Sequence, residues 1–306
     1  MSGTAASAKV WRRIGSHARD ALLKSLAPLE LRAILADVAR SRAFVQTPAD
    51  LIKRWREDRL LMPSLLDPRE ALPITARLWE LTPREFVGVT LSQLTSLGSG
   101  VHLGGRGQNR VITTMRLTEV LADPVHGLAL EASRRRRSGH SRVHLATHAR
   151  CTHAWDSAEE SSHELRFSLV SSAPDGGGLS TEAELLDLHL DFWREAIRAI
   201  VPGGRVALSV WDSTLAGLVA ERGTCDGAIV VDGNADGAES ERTPWRNPYS
   251  TAAFRFVLDE DGHTVELGDG GFVNWTQALT RNRKDRCLVS GISVDAIVAH
   301  TWDQAD

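Results

Sequence analysis

Residues 248–298 narrow the architecture more than any other part of the chain. Ala253-Phe254-Arg255-Phe256-Val257-Leu258 alternates as a strand does, and a turn follows at Asp261-Gly262. Gly268-Asp269-Gly270-Gly271-Phe272-Val273-Asn274-Trp275 comes next, then the small-residue run Val289-Ser290-Gly291-Ile292-Ser293, which enters a helix at Val294-Asp295-Ala296-Ile297. A tyrosine, Tyr249, precedes the first of these strands.

Upstream the texture is different. Leu22, Leu23, Leu26, Leu29, Leu31, Ile34, Leu35 and Val38 predict two amphipathic helices broken at Pro28, the first beginning near Ser16. Thr47-Pro48-Ala49-Asp50 opens a third helix. Leu60 to Leu81, with Pro63, Pro68 and Pro73, is expected to be rich in loops. From Phe86 onward short apolar runs and glycines predict strands and turns, including one strand over Arg110–Met115 and others at Val143–Thr147, Leu165–Val170 and Arg205–Trp211. Helices are expected over Asp123–Arg137 and Glu182–Ile200. Helices first, then many strands with one or two long helices between them, predict an α+β fold with a mainly antiparallel sheet flanked by helices. Strands and helices do not alternate regularly, and Gly104-Gly105-Arg106-Gly107 lacks a G-x-G-x-x-G continuation, so a dinucleotide-binding fold is not expected.

Composition sets the function classes. A formal charge of −3 argues against a generally cationic nucleic-acid binder, though not against a local basic face. Cys151, Cys225 and Cys287 are far apart and form no C-x-x-C pair, so neither a disulfide framework nor a structural zinc site is indicated. With no apolar run near the ~20 residues of a membrane span and no apolar signal core, a cytoplasmic protein is expected.

Three constellations carry chemistry. The first runs from Gln108 through Arg116, Thr118 and Glu119 at a strand-to-helix transition; its alternative reading is a helix N-cap at Thr118 or Asp123. The second is Arg134-Arg135-Arg136-Arg137 with Arg142, enough guanidinium to hold an RNA backbone, set against a helix end whose cations face the dipole. The third is the set His144, His148, His153 and His163. Their spacing on strands does not put all four on one face, so no metal is expected, and His153 or His163 is preferred as a general base. No G-x-S-x-G elbow supports serine catalysis. Tyr249, with Arg246 nearby, is either catalytic or a ring that simply buries itself.

The order of blocks from about residue 85 to 300 resembles the catalytic core of class II aminoacyl-tRNA synthetases of the histidyl type. In that family a tyrosine-bearing loop, a Gly-Gly-Arg-Tyr-Asp element and a small-residue strand entering an arginine-bearing helix follow one another; here the middle element reads Gly270-Gly271-Phe272-Val273-Asn274 and Ala296 stands where the ATP-clamping arginine is expected. The resemblance implies an amino-acid cradle at Arg116, Thr118 and Glu119, helped by Gln108 and Asn274. It also matches Arg150 and Arg166 to the arginines of the family's second motif, with His153 in place of another. The division implied is an N-terminal helical region over residues 1–84 packing on a core over residues 85–306, without the anticodon-binding domain of the histidyl enzymes.

The function expected from this pattern is transfer of an amino acid from charged tRNA to a small-molecule nucleophile, without ATP or any cofactor, by a homodimer. An ATP-dependent amino-acid ligase and a non-catalytic regulatory subunit like that of ATP phosphoribosyltransferase are the alternatives.

Overall fold

The structure is a computed structural model that describes residues 5–64, 66–105, 111–154, 162–223, 230–231, 249–260 and 262–301. The chain begins with α1 (Ala5–Ile14), α2 (Ser16–Asp20), a π-helical turn (Ala21–Ser25), α3 (Pro28–Phe44), α4 (Pro48–Glu57) and α5 (Pro68–Leu81). Short elements follow: β1 (Val87–Gly88), β2 (Leu94–Ser96), α6 (Ser99–His102) and β3 (Thr118–Val120). The body comprises α7 (Pro124–Arg137), β4 (Val143–Thr152), β5 (His163–Pro174), α8 (Ser180–Ile200), β6 (Arg205–Val210), α9 (Ser213–Glu221) and β7 (Val230–Val231). It closes with β8 (Ala252–Glu260), β9 (His263–Val273), α10 (Trp275–Thr280), β10 (Asp285–Ser293) and α11 (Val294–Thr301).

Among the described residues eight strands form one sheet in the order β1-β4-β5-β10-β9-β8-β6-β7. Only the outer pairs, β1 with β4 and β6 with β7, are parallel. Alternation along the central strands sends one set of side chains to α5, α8, α9 and α11, around Phe167, Trp193, Phe254 and Phe256. The other set meets α7 and α10, around Leu128, Leu145, Val170, Trp275 and Val289. This is the expected α+β fold, with the helices on both faces of a mainly antiparallel sheet.

Two expectations fail locally. Pro68–Leu81 is a helix rather than loop, with Pro68 in its first turn and Pro73 inside it. Burial of Ala71, Thr75 and Leu78 against the core outweighs the hydrogen bond that Pro73 cannot donate. The strand expected over Arg110–Met115 is reduced to one bridge, Thr113 to Glu119, because the chain turns at Leu117, whose φ of 57° belongs to the left-handed region. Arg110 itself lies outside the described residues.

The N-terminal region divides. Helix α5 is part of the core, and Arg59 and Met62 touch it through their carbonyls, which accept from Ser162 Oγ at 2.6 Å and pair with His163 Nε2 at 2.9 Å. From α2 through α4, by contrast, no residue is buried. Phe44 is 91% exposed and Trp55 52%, with Leu29, Ile34 and Leu51 also open. Helices α2 to α4 thus leave much of their apolar surface open in the single chain. Among the described residues no helix is long and apolar enough to cross a membrane.

A polar relay crosses the interior between α8 and the sheet. His144 Nδ1 meets Ser171 Oγ at 2.8 Å, Ser171 Oγ meets His189 Nε2 at 2.8 Å, and His189 Nδ1 meets Ser290 Oγ at 2.8 Å, with Trp193 Nε1 also donating to Ser290. Burial pushes the His189 imidazole down to about 3, with the neighbouring His144 adding to the effect, so it is held neutral.

Because its folded pKa lies below the unfolded value of 6.5, His189 contributes stability that is complete above pH 6.5 and lost as pH falls toward about 3. Denaturant melts across that window should show stability falling by up to about 1.4 kcal/mol per pH unit from this group. His189→Gln should flatten that part of the profile, and an unchanged slope in the variant contradicts the relay's neutrality.

Candidate functional site

A cavity of ≈ 130 Å³ opens on the α7/α10 face of the sheet, lined by Gly104, Asp123, Val125, His126, Arg166, Tyr249, Asp269, Trp275, Val289, Ser290 and Gly291. Its polar groups arrive from four directions. Asp123 is the N-cap of α7, accepting from Val125 N at 3.1 Å, and His126 sits in that helix's first turn. Arg166 comes from β5 and Asp269 from β9, while Tyr249 enters from the chain ahead of β8.

Arg166 is the floor. Its Nη1 donates to Glu164 Oε1 at 3.1 Å and its Nη2 to the Gly291 carbonyl at 3.3 Å, with Asp269 Oδ1 at 3.9 Å. Its buried Nε has no hydrogen-bond partner among the described residues. Burial alone would lower the guanidinium pKa, but the surrounding acids, Glu164 foremost, hold it well above its usual value. The carboxyl of Glu164 is itself held far below the usual carboxylate range, burial being overcome by Arg166 and by the hydrogen bond to His153.

Tyr249 closes the cavity from above, its hydroxyl donating to Asp269 Oδ2 at 2.8 Å. The glycine-dense strand exists to admit this ring: a Cβ on Gly271 would stand 2.6 Å from Tyr249 Cγ, and one on Gly270 would stand 2.5 Å from the Phe254 ring on the opposite face. Gly104 plays the same part for His126, whose Cε1 would lie 2.9 Å from an added Cβ. His126 also packs edge-on against Trp275, ring centroids 5.2 Å apart. Burial raises the Asp269 pKa, and Arg166 offsets only part of that.

Of the residues singled out from sequence, the cavity gathers Arg166 and Tyr249. Arg150 is on the other face, since Ala149 and not Arg150 pairs with Arg166; it binds Asp295 Oδ2 at 3.2 Å and His163 Nδ1 at 3.0 Å. His163 is held there and His153 pairs with Glu164 Oε1 at 2.9 Å, so neither proposed base lines the cavity. Glu119 is only 1% exposed and its carboxylate accepts from Gly98 N at 2.6 Å and Gly100 N at 2.9 Å, which fixes the turn into α6. Thr118 meets Thr114 Oγ1 at 2.7 Å and Arg116 is exposed, and neither they nor Glu119 line the cavity. Asn274 is an exposed residue before α10, next to the lining Trp275. Gln108 and Arg246 lie outside the described residues.

The arginine cluster is mostly engaged. Arg134 and Arg135 both bind Glu131 at 2.7 Å, and Arg142 binds Glu184 at 2.7 Å. Arg136 is inward, with Asp285 at 2.6 Å and the carbonyls of His140 and Ser141, so it ties α7 to β10 rather than facing solvent. Arg137 is exposed. The residues missed from sequence, Asp123, His126 and Asp269, were within reach: Asp123 was recognisable as a cap, and alternation from Val273 puts Asp269 on the face that Gly271 shares.

No family model matches the chain, and no curated protein matches it by sequence. Solved structures do match in fold. Apo histidyl-tRNA synthetase from S. aureus superposes with a TM-score of 0.56 at 11% identity, covering 79% of this chain and 69% of that one. A histidine–tRNA ligase subunit from Alicyclobacillus acidocaldarius gives 0.55 at 11% identity, covering 80% and 98%. An ATP phosphoribosyltransferase regulatory subunit/histidyl-tRNA synthetase from Bacillus halodurans gives 0.54 at 10% identity, covering 78% and 81%. The fold is that of the class II synthetase core of the histidyl type.

Tyr249 is the single tyrosine, so a spectrophotometric titration reads it alone. Burial, then the Asp269 charge and hydrogen bond, push its phenol well above the ordinary value of 10.0. In the native protein the phenol should resist ionisation until the chain unfolds, and Asp269→Asn should bring the midpoint part of the way down. A native midpoint near 10 contradicts the buried pair.

Proposed function

We propose that this chain is an aminoacyltransferase that accepts an aminoacyl group from charged tRNA and passes it to a small nucleophile without ATP. The observation that carries the reading is the acid-rich cavity. Asp123 and Asp269 stand beside Arg166, which Glu164 already neutralises, so an entering α-ammonium meets two carboxylates and the Tyr249 oxygen. The Arg166 guanidinium, which lines the cavity, offers N–H donors to the carbonyl. His126, the one histidine among the described lining residues, is the candidate proton acceptor for the attacking nucleophile.

Support for doing without ATP comes from α11. Ala296, its third residue, supplies no cation and packs against the apolar core, while Asp295 accepts from Arg150 and from Leu165 N at 2.9 Å. Adenylate formation needs cations on the triphosphate, and ≈ 130 Å³ is small beside the ~300–1,000 Å³ of ordinary ligand pockets. The small volume also favours a second reading, a non-catalytic sensor of an amino acid.

For tRNA, the asymmetry of charge matters more than the arginine cluster. Residues 1–60 carry 12 Lys and Arg against 6 Asp and Glu, while residues 61–306 carry 24 against 33. The exposed N-terminal helices are thus a cationic arm suited to a phosphate backbone, joined by Arg137 and the outer faces of Arg134 and Arg142. A homodimer is the assembly that covers the arm's apolar residues, and a monomeric mass by light scattering at micromolar concentration counts against it.

Incubated with a pre-charged tRNA pool and hydroxylamine as acceptor, the protein should form aminoacyl hydroxamate without ATP. Asp269→Asn should lower that rate by roughly ten- to a hundredfold, the worth of one charge-assisted hydrogen bond of about 1.5–3 kcal/mol. Free amino acids with ATP should give no pyrophosphate exchange. Robust exchange overturns the assignment in favour of an ATP-dependent ligase, and binding without transfer favours the sensor.

A further inference from the structure

We infer that Cys151, His153 and Glu164 form a binding site for a divalent transition-metal cation, zinc by the chemistry of its donors, at the open end of the β4–β5 ladder. Cys151 Sγ lies 3.7 Å from His153 Nε2, and that nitrogen lies 2.9 Å from Glu164 Oε1. All three prospective ligand atoms fall within 4.8 Å of one another. Zinc bonds of about 2.0–2.3 Å in a tetrahedral arrangement separate ligands by roughly 3.3–3.8 Å, so side-chain shifts of up to about 1 Å close the group on an ion.

The strands build this geometry. Cys151 and Glu164 are direct cross-strand partners, so their side chains leave the same face of the sheet, and His153 follows Cys151 by two residues on that face. Cys151 and His153 are buried and the Glu164 side chain is only 20% exposed, which keeps water from competing for the ion. A thiolate among the donors selects against magnesium and calcium, and an imidazole with a carboxylate suits zinc. Thiolate and carboxylate together balance the dication's charge, and three protein ligands leave a fourth position open.

The site is separate from the cavity but coupled to it through one side chain. Glu164 is now the acceptor of Arg166 Nη1 at 3.1 Å. A cation on Glu164 takes over its charge and leaves Asp269, 3.9 Å from Arg166 Nη2, as the guanidinium's principal acid. The pairing was hidden in the sequence because the nearest regular spacing is Cys-x-His, and the third donor comes from the neighbouring strand. The inference stands on these three residues and does not require the aminoacyltransferase reading.

The test is a titration of the full chain, first stripped with a chelator, with zinc against a chromophoric competitor and with cobalt(II) in parallel. One metal per chain and a thiolate-to-cobalt charge-transfer band are expected. Cys151→Ser should abolish the band and weaken zinc binding at least about a hundredfold, since even outer-sphere partners of a metal cost roughly 10–100-fold. His153→Gln, which keeps a polar group opposite Glu164, should weaken zinc comparably and carries the test if the serine variant does not fold. Failure of the wild-type chain to bind zinc at micromolar concentration overturns the proposal. So does a cobalt band that survives Cys151→Ser and therefore arises at Cys225 or Cys287.

Discussion

A largely buried guanidinium has to be paid for by its surroundings, and Arg166, its side chain only 16% exposed, is where this structure does so. Glu164 on the same strand, Asp269 two strands away and the Gly291 carbonyl between them surround it. Removing one partner of such a buried set costs on the order of 3–5 kcal/mol, so β5, β10 and β9 are held in one register by the charge as well as by their ladders. The same arrangement makes the cavity: Arg166 forms its floor, Asp269 its wall, and the Tyr249 hydroxyl is drawn down onto Asp269. Fold and candidate chemistry therefore rest on one electrostatic knot.

Around that knot the sheet is asymmetric. One face is an apolar core threaded by the His144–Ser171–His189–Ser290 relay, whose members satisfy one another's hydrogen bonds away from water. The other face concentrates carboxylates and cations next to Trp275 and His126. Glycine is what allows polar side chains to lie flat there: Gly271 admits the tyrosine ring and Gly104 admits His126. Substitution at either position would act on the site through displacement of its neighbour and not through lost chemistry of its own.

Much of the fold was legible because its strands obey period two and its helices carry explicit caps. Thr47 with Asp50, and Asp123 ahead of Pro124, mark helix starts in the sequence and do so in the structure. Pro73 misled because burial of Leu78 lies outside any local pattern. The site was less legible. Arg166 sits on a recognisable strand and Tyr249 just ahead of one, but Glu119 looked like a ligand-binding acid and proves to be spent on the amides of Gly98 and Gly100. That use depends on a hairpin whose register no spacing rule announces. Four successive arginines likewise suggested one surface, whereas a helix distributes them around its axis, and Arg136 turns inward to Asp285.

The central claim is that the cavity recognises a free ammonium beside a carbonyl. Calorimetric titration of amino-acid methyl esters against their N-acetylated counterparts isolates that group, since acetylation removes the charge and leaves the side chain. The account predicts that at least one ester binds, that its acetylated form does not, and that Asp269→Asn loses the difference. Equal binding of the two forms, or a preference that survives Asp269→Asn, contradicts it.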